Sequence, residues 1–243
     1  MLRVFHSAPW PAVGGELALD ATESAHLVRV RRARMGEPVE VLDGQGGVAA
    51  GVLTLADPNA ARLRMDNITR HPAPTNRVLA VGLPKGDGLG EIIRQATELG
   101  ATQLQPLLTA RTEVRLDYAR VERKLERWRA TALEACKQSG NPWLPLVSQP
   151  VELDTWLQKL PVEMQHHRRL VAALTPDVVD FSSLHNSPST LSTLICVGPE
   201  GDFSPGEYAA LKNAGFTAVR LPGHVLRVET ACVAALTLLA QGG

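Results

Sequence analysis

The chain is poor in cysteine, in aromatic residues and in net charge, and each shortage removes a class of protein. Its 243 residues hold three cysteines, Cys136, Cys196 and Cys232. Their odd number and wide spacing exclude a complete disulfide framework and any Cys-x-x-Cys zinc pattern. Three reduced thiols in the core of a cytosolic protein is the simplest reading. Aromatics make up only 4% of the chain, yet 44% of it is hydrophobic, enough to form a core. Twenty-five basic residues balance 25 acidic ones, so a nucleic-acid partner cannot be argued from net charge and needs a local patch. No His-Glu-x-x-His element occurs, and the adjacent His166 and His167 cannot share a helix face, so no catalytic metal is expected. The opening MLRVFHSAPWPAVGG has no long apolar core, which argues against a secretory signal, and no apolar run approaches the length of a membrane span. A cytoplasmic protein with no membrane partner is the expectation.

Lysine is absent from residues 1 to 70, which carry 8 Arg against 8 Asp plus Glu. This region reads as short β segments: LRVFH, GELALD, EPVEVLDGQGGVAAGVLTLA and ARLRMDNITR, with a tight turn at DGQGG from Asp43. One helix, ESAHLVRVRRARMG, interrupts them. Many short strands in so few residues suggest a small barrel, because closure protects strand edges. RHPAPTN, residues 70 to 76, reads as a linker. From residue 77 the rhythm becomes strand, helix, strand. RVLAVGL, TQLQPLL, RLVAAL, LSTLICVG and TAVRLPG are strand candidates. GEIIRQATELG, the long LDYARVERKLERWRATALEACKQSG and the apolar ETACVAALTLLA are helix candidates. Ser204, Pro205 and Glu207 predict a capping box with proline at the first helical position. The alternation implies an α/β domain with a parallel sheet covered by helices.

In such a sheet ligands sit beyond the carboxyl ends of the strands. Three loops have that place. GLPKGDGLG, residues 82 to 90, is neither Gly-x-Gly-x-x-Gly nor a phosphate-binding P-loop, and reads equally as a flexible turn. GPEGDFS, residues 198 to 204, joins a fixed φ at Pro199 to unhindered backbone at Gly198 and Gly201. LPGHVLRVET, residues 221 to 230, puts Arg227 and Glu229 just before a buried helix. An ion pair of Arg227 with Glu200 or Glu229 is the structural alternative for those charges. Two arginine-rich stretches complete the picture. Arg29, Arg31, Arg32 and Arg34 crowd into six residues, and Arg120, Arg123, Lys124, Arg127 and Arg129 mark a second basic face. Each reads either as a solvated helix face or as a phosphate-binding patch, the use for which the arginine fork is suited.

HLVRVRRARMG, ATELGATQLQPLLTART, RWRATALEACKQSG, VGPEGDFSPGE and LPGHVLRVETA together resemble the RsmE-type ribosomal RNA methyltransferases of the SPOUT superfamily, over essentially the whole chain. The resemblance implies a PUA-like β-barrel RNA-binding domain at residues 1–72 and a trefoil-knotted SPOUT methyltransferase domain at residues 73–243. It implies a homodimer, S-adenosylmethionine (SAM) as methyl donor, and methylation of N3 of one uridine in 16S ribosomal RNA, within the small ribosomal subunit. It assigns the cofactor to Gly198, Pro199, Glu200, Gly201, Leu221, Gly223, Val225 and Leu226, and RNA to Arg29 and Arg32. Arg227 is then the candidate to stabilise charge on the uracil, and Glu229 the candidate base or the residue that orients Arg227. A non-catalytic RNA-binding or ribosome-assembly protein, or a transfer-RNA methyltransferase, are the competing readings. The chain departs from the family pattern at Asp202, where glycine is usual, at His224, where arginine is common, at Gly88, where a basic residue is frequent, and at GNPW after the long helix.

Overall fold

A computed structural model describes residues 1–112, 118–160, 167–175, 177–181, 183 and 192–240, with the backbone alone at 118–120. The chain divides into two compact units, one of residues 1–73 with 133–144, the other of residues 74–132 with 145–243.

The first unit is built on one five-stranded sheet. Its strands are β1 (Leu2–Phe5), β2 (Glu16–Ala18), β3 (Pro38–Leu42), β4 (Gly47–Leu55) and β5 (Arg62–Arg70), in the order β1-β3-β4-β5-β2. Only β1 and β3 run parallel. The alternation in the sequence sets the faces: Ala49 and Leu53 of β4 and Leu63 and Met65 of β5 point inward. Every strand contributes to a single core, from Val4 and Leu17 through Val39 and Val41 to Met65. Gly51 sits at a register shift, where a β-carbon would come within 2.5 Å of the Arg64 carbonyl oxygen. The expected turn after Asp43 is present. Its carboxylate accepts from the N–H groups of Gln45 and Gly47 at 2.7 and 2.8 Å, with Gly44 and Gly46 at positive φ.

The single helix expected between β2 and β3 is shorter and differently wound. Asp20 caps α1 (Ala21–Ala25), accepting from the Glu23 N–H at 2.8 Å. The next five residues, His26–Val30, form a π-helical turn, and Arg32 at φ 57° ends it. Arg31 to Gly36, which the sequence placed within the helix, therefore lie outside it. The GNPW departure has a clear place. Trp143 pairs with Gln45 across an isolated bridge, and its ring occupies the space a side chain at Gly46 would need.

The second unit carries an eight-stranded, all-parallel sheet. Its strands are β6 (Arg77–Gly82), β7 (Gln103–Leu108), β8 (Leu146–Val147), β9 (Val151–Glu152), β10 (Arg168–Ala172), β11 (Val179–Asp180), β12 (Thr193–Val197) and β13 (Thr217–Arg220). The order is β11-β13-β10-β12-β6-β7-β8, with β9 also on β7. The helices are α2 (Gly88–Glu98), α3 (Tyr118–Ser139), α4 (Leu153–Gln158), α5 (Pro205–Asn213) and α6 (Val228–Ala240). Residues 116 and 117 of the anticipated long helix lie outside the described residues, as does the Arg120 side chain.

Strand periodicity divides the core into two layers. Leu79, Val81, Ile195 and Val197 face α2, α3 and α6 through Ile92, Leu125, Trp128, Ala235 and Leu236. Val78, Ala80, Leu194 and Cys196 face α4 and α5 through Trp156 and Leu211. Burial of each such large side chain contributes about 1.5–3 kcal/mol. All five β12 residues are buried, so the loop that leaves it starts from the middle of the sheet.

Candidate functional site

β13, β10, β12 and β6 are consecutive in the sheet, and their carboxyl ends point the same way. A cleft of about 470 Å³ opens there. Its walls come from the end of β10 (Ala172 to Leu174), the loop after β12 (Gly198 to Glu200, and Asp202), and the loop after β13 with the first turn of α6 (Leu221, His224 to Glu229, and Ala231).

The loop after β12 is fixed by close packing. Gly198 and Pro199 are buried. A β-carbon at Gly82 would lie 2.4 Å from Cδ of Pro199, so β6 and this loop touch backbone to ring. A β-carbon at Gly198 would lie 2.9 Å from the Asp202 carboxylate. Asp202 holds φ 60°, a left-handed conformation that glycine adopts freely and that aspartate tolerates better than most residues. Its carboxylate accepts from its neighbour Phe203 N–H and from the Tyr208 hydroxyl, both at 2.8 Å. Burial and that bond push the Tyr208 hydroxyl well above its ordinary pKa, so it stays a donor. Asp202 thus keeps the backbone shape that glycine would supply and adds an anchor. Ser204 caps α5 with the reciprocal Glu207 box, as the sequence predicts. Glu207 also accepts from the Ala110 N–H at 2.7 Å, and Arg111 donates to the Gly201 carbonyl at 2.5 Å, tying the loop after β7 to the loop after β12.

Glu200 reaches across the site, and its Oε1 accepts from the Lys85 backbone N–H at 3.0 Å. The first and second of the three loops singled out in the sequence are therefore joined directly. Glu229 is half-buried and faces the start of α2; a β-carbon at Gly88 would lie 3.6 Å from its Oε1. That β-carbon would also lie 3.3 Å from Cγ of Pro84, so the basic side chain that the resemblance would put here would press on Pro84 as well as meet this carboxylate. Arg227 is exposed at the head of α6, and its carbonyl accepts from the Ala231 N–H at 2.8 Å. Among the described residues neither ion pair considered for Arg227, with Glu200 or with Glu229, forms.

Of the residues expected to hold a cofactor, Gly198, Pro199, Glu200, Leu221, Val225 and Leu226 line the cleft, together with Arg227 and Glu229. Gly201 and Gly223 are not among its lining residues. Gly201 packs on the Arg111 side chain, 3.2 Å from where its β-carbon would be, and Gly223 turns the third loop at φ 100°. Ala172, Ala173 and Leu174 form a wall that the sequence reading passed over, although they end a recognised strand. Arg29 and Arg32 are exposed on the first unit, in the π-turn and just after it.

The chemistry of the lining suits SAM. Leu221, Val225 and Leu226 offer apolar surface for a purine, with Val225 77% exposed. Glu200, Asp202 and Glu229 add carboxylates to the lining, a charge that suits a cationic ligand. No group of three or more His, Cys, Asp or Glu suited to a metal occurs among the described residues, and His166 lies outside them. Among the described residues no helix is long and apolar enough to cross a membrane.

Comparison with known proteins agrees with this geometry. Residues 71–240 match the family described as RNA methyltransferase domain, and residues 19–66 match the RNA methyltransferase PUA domain. The chain is 34% identical over 230 residues to the ribosomal RNA small subunit methyltransferase E of Synechocystis, covering 94% of this chain and 74% of the relative. It is 32% identical over 239 residues to the Mycobacterium tuberculosis protein of the same name, covering 96% and 89%. Among solved structures it resembles the Neisseria gonorrhoeae ribosomal RNA small subunit methyltransferase E bound to S-adenosyl methionine, with a TM-score of 0.86, 26% identity, and 99% and 97% of the two chains covered. A putative methyltransferase of Legionella pneumophila, at 23% identity, shares the fold with a TM-score of 0.86.

Proposed function

This chain belongs to the RNA methyltransferase family that includes the ribosomal RNA small subunit methyltransferases E, and we propose that it methylates N3 of one uridine in 16S ribosomal RNA. It is a mixed α/β protein of the SPOUT class with a PUA unit at its N-terminus, and a SAM-dependent ribosomal RNA methyltransferase. The observation that carries the reading is the cleft at the strand ends, where the Gly-Pro-Glu-Gly loop faces the loop bearing Arg227 and Glu229.

When bound, SAM supplies a methyl group already activated by its sulfonium. What remains for the protein is to align a uridine and to free the N3 lone pair, because N3 carries a proton. We assign the cofactor to Gly198, Pro199, Glu200, Leu221, Val225 and Leu226, with Gly201 and Gly223 supporting the loops. Arg227 stabilises the negative charge that spreads onto the uracil carbonyls as the proton leaves. Glu229, one residue into α6, accepts that proton. SAM held by those residues would supply its methyl group to the N3 lone pair so freed. The target must be unpaired or flipped out to reach the cleft.

Docking of RNA falls to the first unit, through Arg29 and Arg32 and their neighbours, and transfer to the second. The proposed domain limits are 1–72 and 73–243, with the segment 133–144 packed into the first compact unit. The protein acts in the cytoplasm as a homodimer, on the small ribosomal subunit. Methyl transfer to assembled small subunits, to free 16S RNA and to transfer RNA tests the reading. Incorporation into the first or second supports it. Incorporation into transfer RNA alone makes this a transfer-RNA enzyme, and SAM binding without transfer to any of them makes it a binding protein.

A further inference from the structure

The first unit has a cleft of its own, of about 340 Å³, lined by Met1, Arg3, His26, Arg31, Glu134, Lys137 and Gln138. It shares no lining residue with the methyl-transfer cleft, and three of its seven lining side chains are permanent cations at neutral pH against one carboxylate.

The cations of the floor are fixed in place. Arg3 Nε bonds Glu40 at 2.5 Å, while its Nη1 donates to the carbonyls of Lys137 and Gln138 at 3.2 and 2.9 Å. The guanidinium thereby closes the carbonyl end of α3, where positive charge is favoured. Lys137 is buried, 7% exposed, and its amine bonds Glu23 at 2.7 Å and Glu134 at 2.6 Å. Burial works against that charge, but the bonds to Glu134 and Glu23 outweigh it and hold the amine above its ordinary pKa. Glu134, the carboxylate of the wall, is thus already bound to a cation.

The rim is different. His26 and Arg31 are five residues apart, a spacing that in an α-helix turns side chains about 140° away from each other. The π-turn joins them instead, with the Arg31 N–H donating to the His26 carbonyl at 2.9 Å, and both line the same cleft. Such turns are rare and frequently mark functional sites. Arg31 is exposed, and among the described residues it makes no ion pair. Arg3 is held by Glu40, and Lys137 by Glu23 and Glu134, so the positive charge left to face an anion is that of Arg31, whose planar fork beside an imidazole matches the oxygens of a phosphate.

We propose that this cleft is a phosphate subsite, in which Arg31 and His26 grip one backbone phosphate of the RNA over the floor made by Arg3 and Lys137. The proposal rests on the reading of the first unit as the RNA-docking unit. It differs from a diffuse charged face, because it singles out Arg31 from the arginines around it.

The test is RNA affinity against salt for the parent, Arg31→Ala, Arg31→Lys and Arg34→Ala, with a 16S transcript as probe. Arg31→Ala should bind roughly three- to tenfold more weakly and lower the salt slope by about one, as expected for one lost phosphate contact. SAM affinity by calorimetry should stay within twofold. Arg31→Lys should recover part of the loss, and Arg34→Ala should change little. Parent-like affinity and slope in Arg31→Ala would overturn the subsite while leaving the enzyme assignment intact. Equal losses from Arg31→Ala and Arg34→Ala would also overturn it, in favour of a diffuse face. A parent protein that binds no RNA would remove both the subsite and the docking role.

Discussion

Glu200 is the residue on which the first and second loops of the site meet. Its bond to the Lys85 N–H joins positions 115 apart in sequence. Glu200→Ala should free residues 83–88 and weaken SAM binding by roughly tenfold, whereas Glu200→Gln, which keeps an acceptor, should stay within about threefold. Calorimetry gives the affinities, and hydrogen exchange at the Lys85 amide gives the loop. Equal affinities for the parent and Glu200→Ala would show that the bond does not organise the cleft. Arg227 calls for a different signature. If it stabilises charge only as the reaction proceeds, Arg227→Ala should lower kcat by two to three orders of magnitude and leave SAM affinity within twofold. A loss confined to SAM affinity would make it a cofactor contact instead.

At the scale of elements, the loop after β12 shows what the sequence could and could not disclose. Two glycines and a proline after an apolar strand announced a site, and the cleft is there. Which glycine matters most was not legible, because that depends on neighbours distant in sequence. A β-carbon at Gly201 would meet Cβ and Cδ of Arg111 at 3.2 and 3.3 Å, a slight overlap, while one at Gly82 would meet the ring and backbone of Pro199 at 2.4 and 2.5 Å, a gross one. Gly201→Ala should therefore cost little. Gly82→Ala should lower stability by about 1–3 kcal/mol, the usual range for overpacking, and remove SAM binding, measured by thermal unfolding and calorimetry. A well-folded Gly82→Ala variant with parent-like SAM affinity would contradict the close approach. The capping box, the tight turn at Asp43 and the long helices were legible because each rests on local spacing. The two-residue strands β8, β9 and β11 were not, since their pairing partners supply most of what defines them. Nor was the π-turn, whose sequence is that of an ordinary amphipathic helix.

The last helix links element to assembly. Its Ala231, Cys232, Ala235, Leu236 and Leu239 pack into their own core, while Val233, Ala234, Thr237 and Leu238 are only half-covered. An apolar face left half-covered fits a second subunit. Leu238→Glu should release monomers, seen by sedimentation, with the fold retained. Leu239→Glu should unfold the unit, because it places a carboxylate in the core. A parent protein that sediments as a monomer at micromolar concentration would end the dimer proposal.

For the whole molecule, all three cysteines are buried. Burial pushes the Cys136 thiol up to about 12 and raises those of Cys196 and Cys232 well above the ordinary range, disfavouring the thiolate that reacts. Alkylating reagents at about pH 8 should leave the native protein unmodified and label all three residues after denaturation.

The central claim, that this two-unit molecule transfers a methyl group to uridine N3 of 16S RNA, is tested most directly by nucleoside mass spectrometry. Small subunits from a strain lacking the enzyme are incubated with the protein and isotopically labelled SAM, and their RNA is digested and mapped. The account predicts one labelled nucleoside, N3-methyluridine, at a single position in 16S RNA, and none with Arg227→Ala. A label on another base, on another uridine atom or on no nucleoside would contradict it.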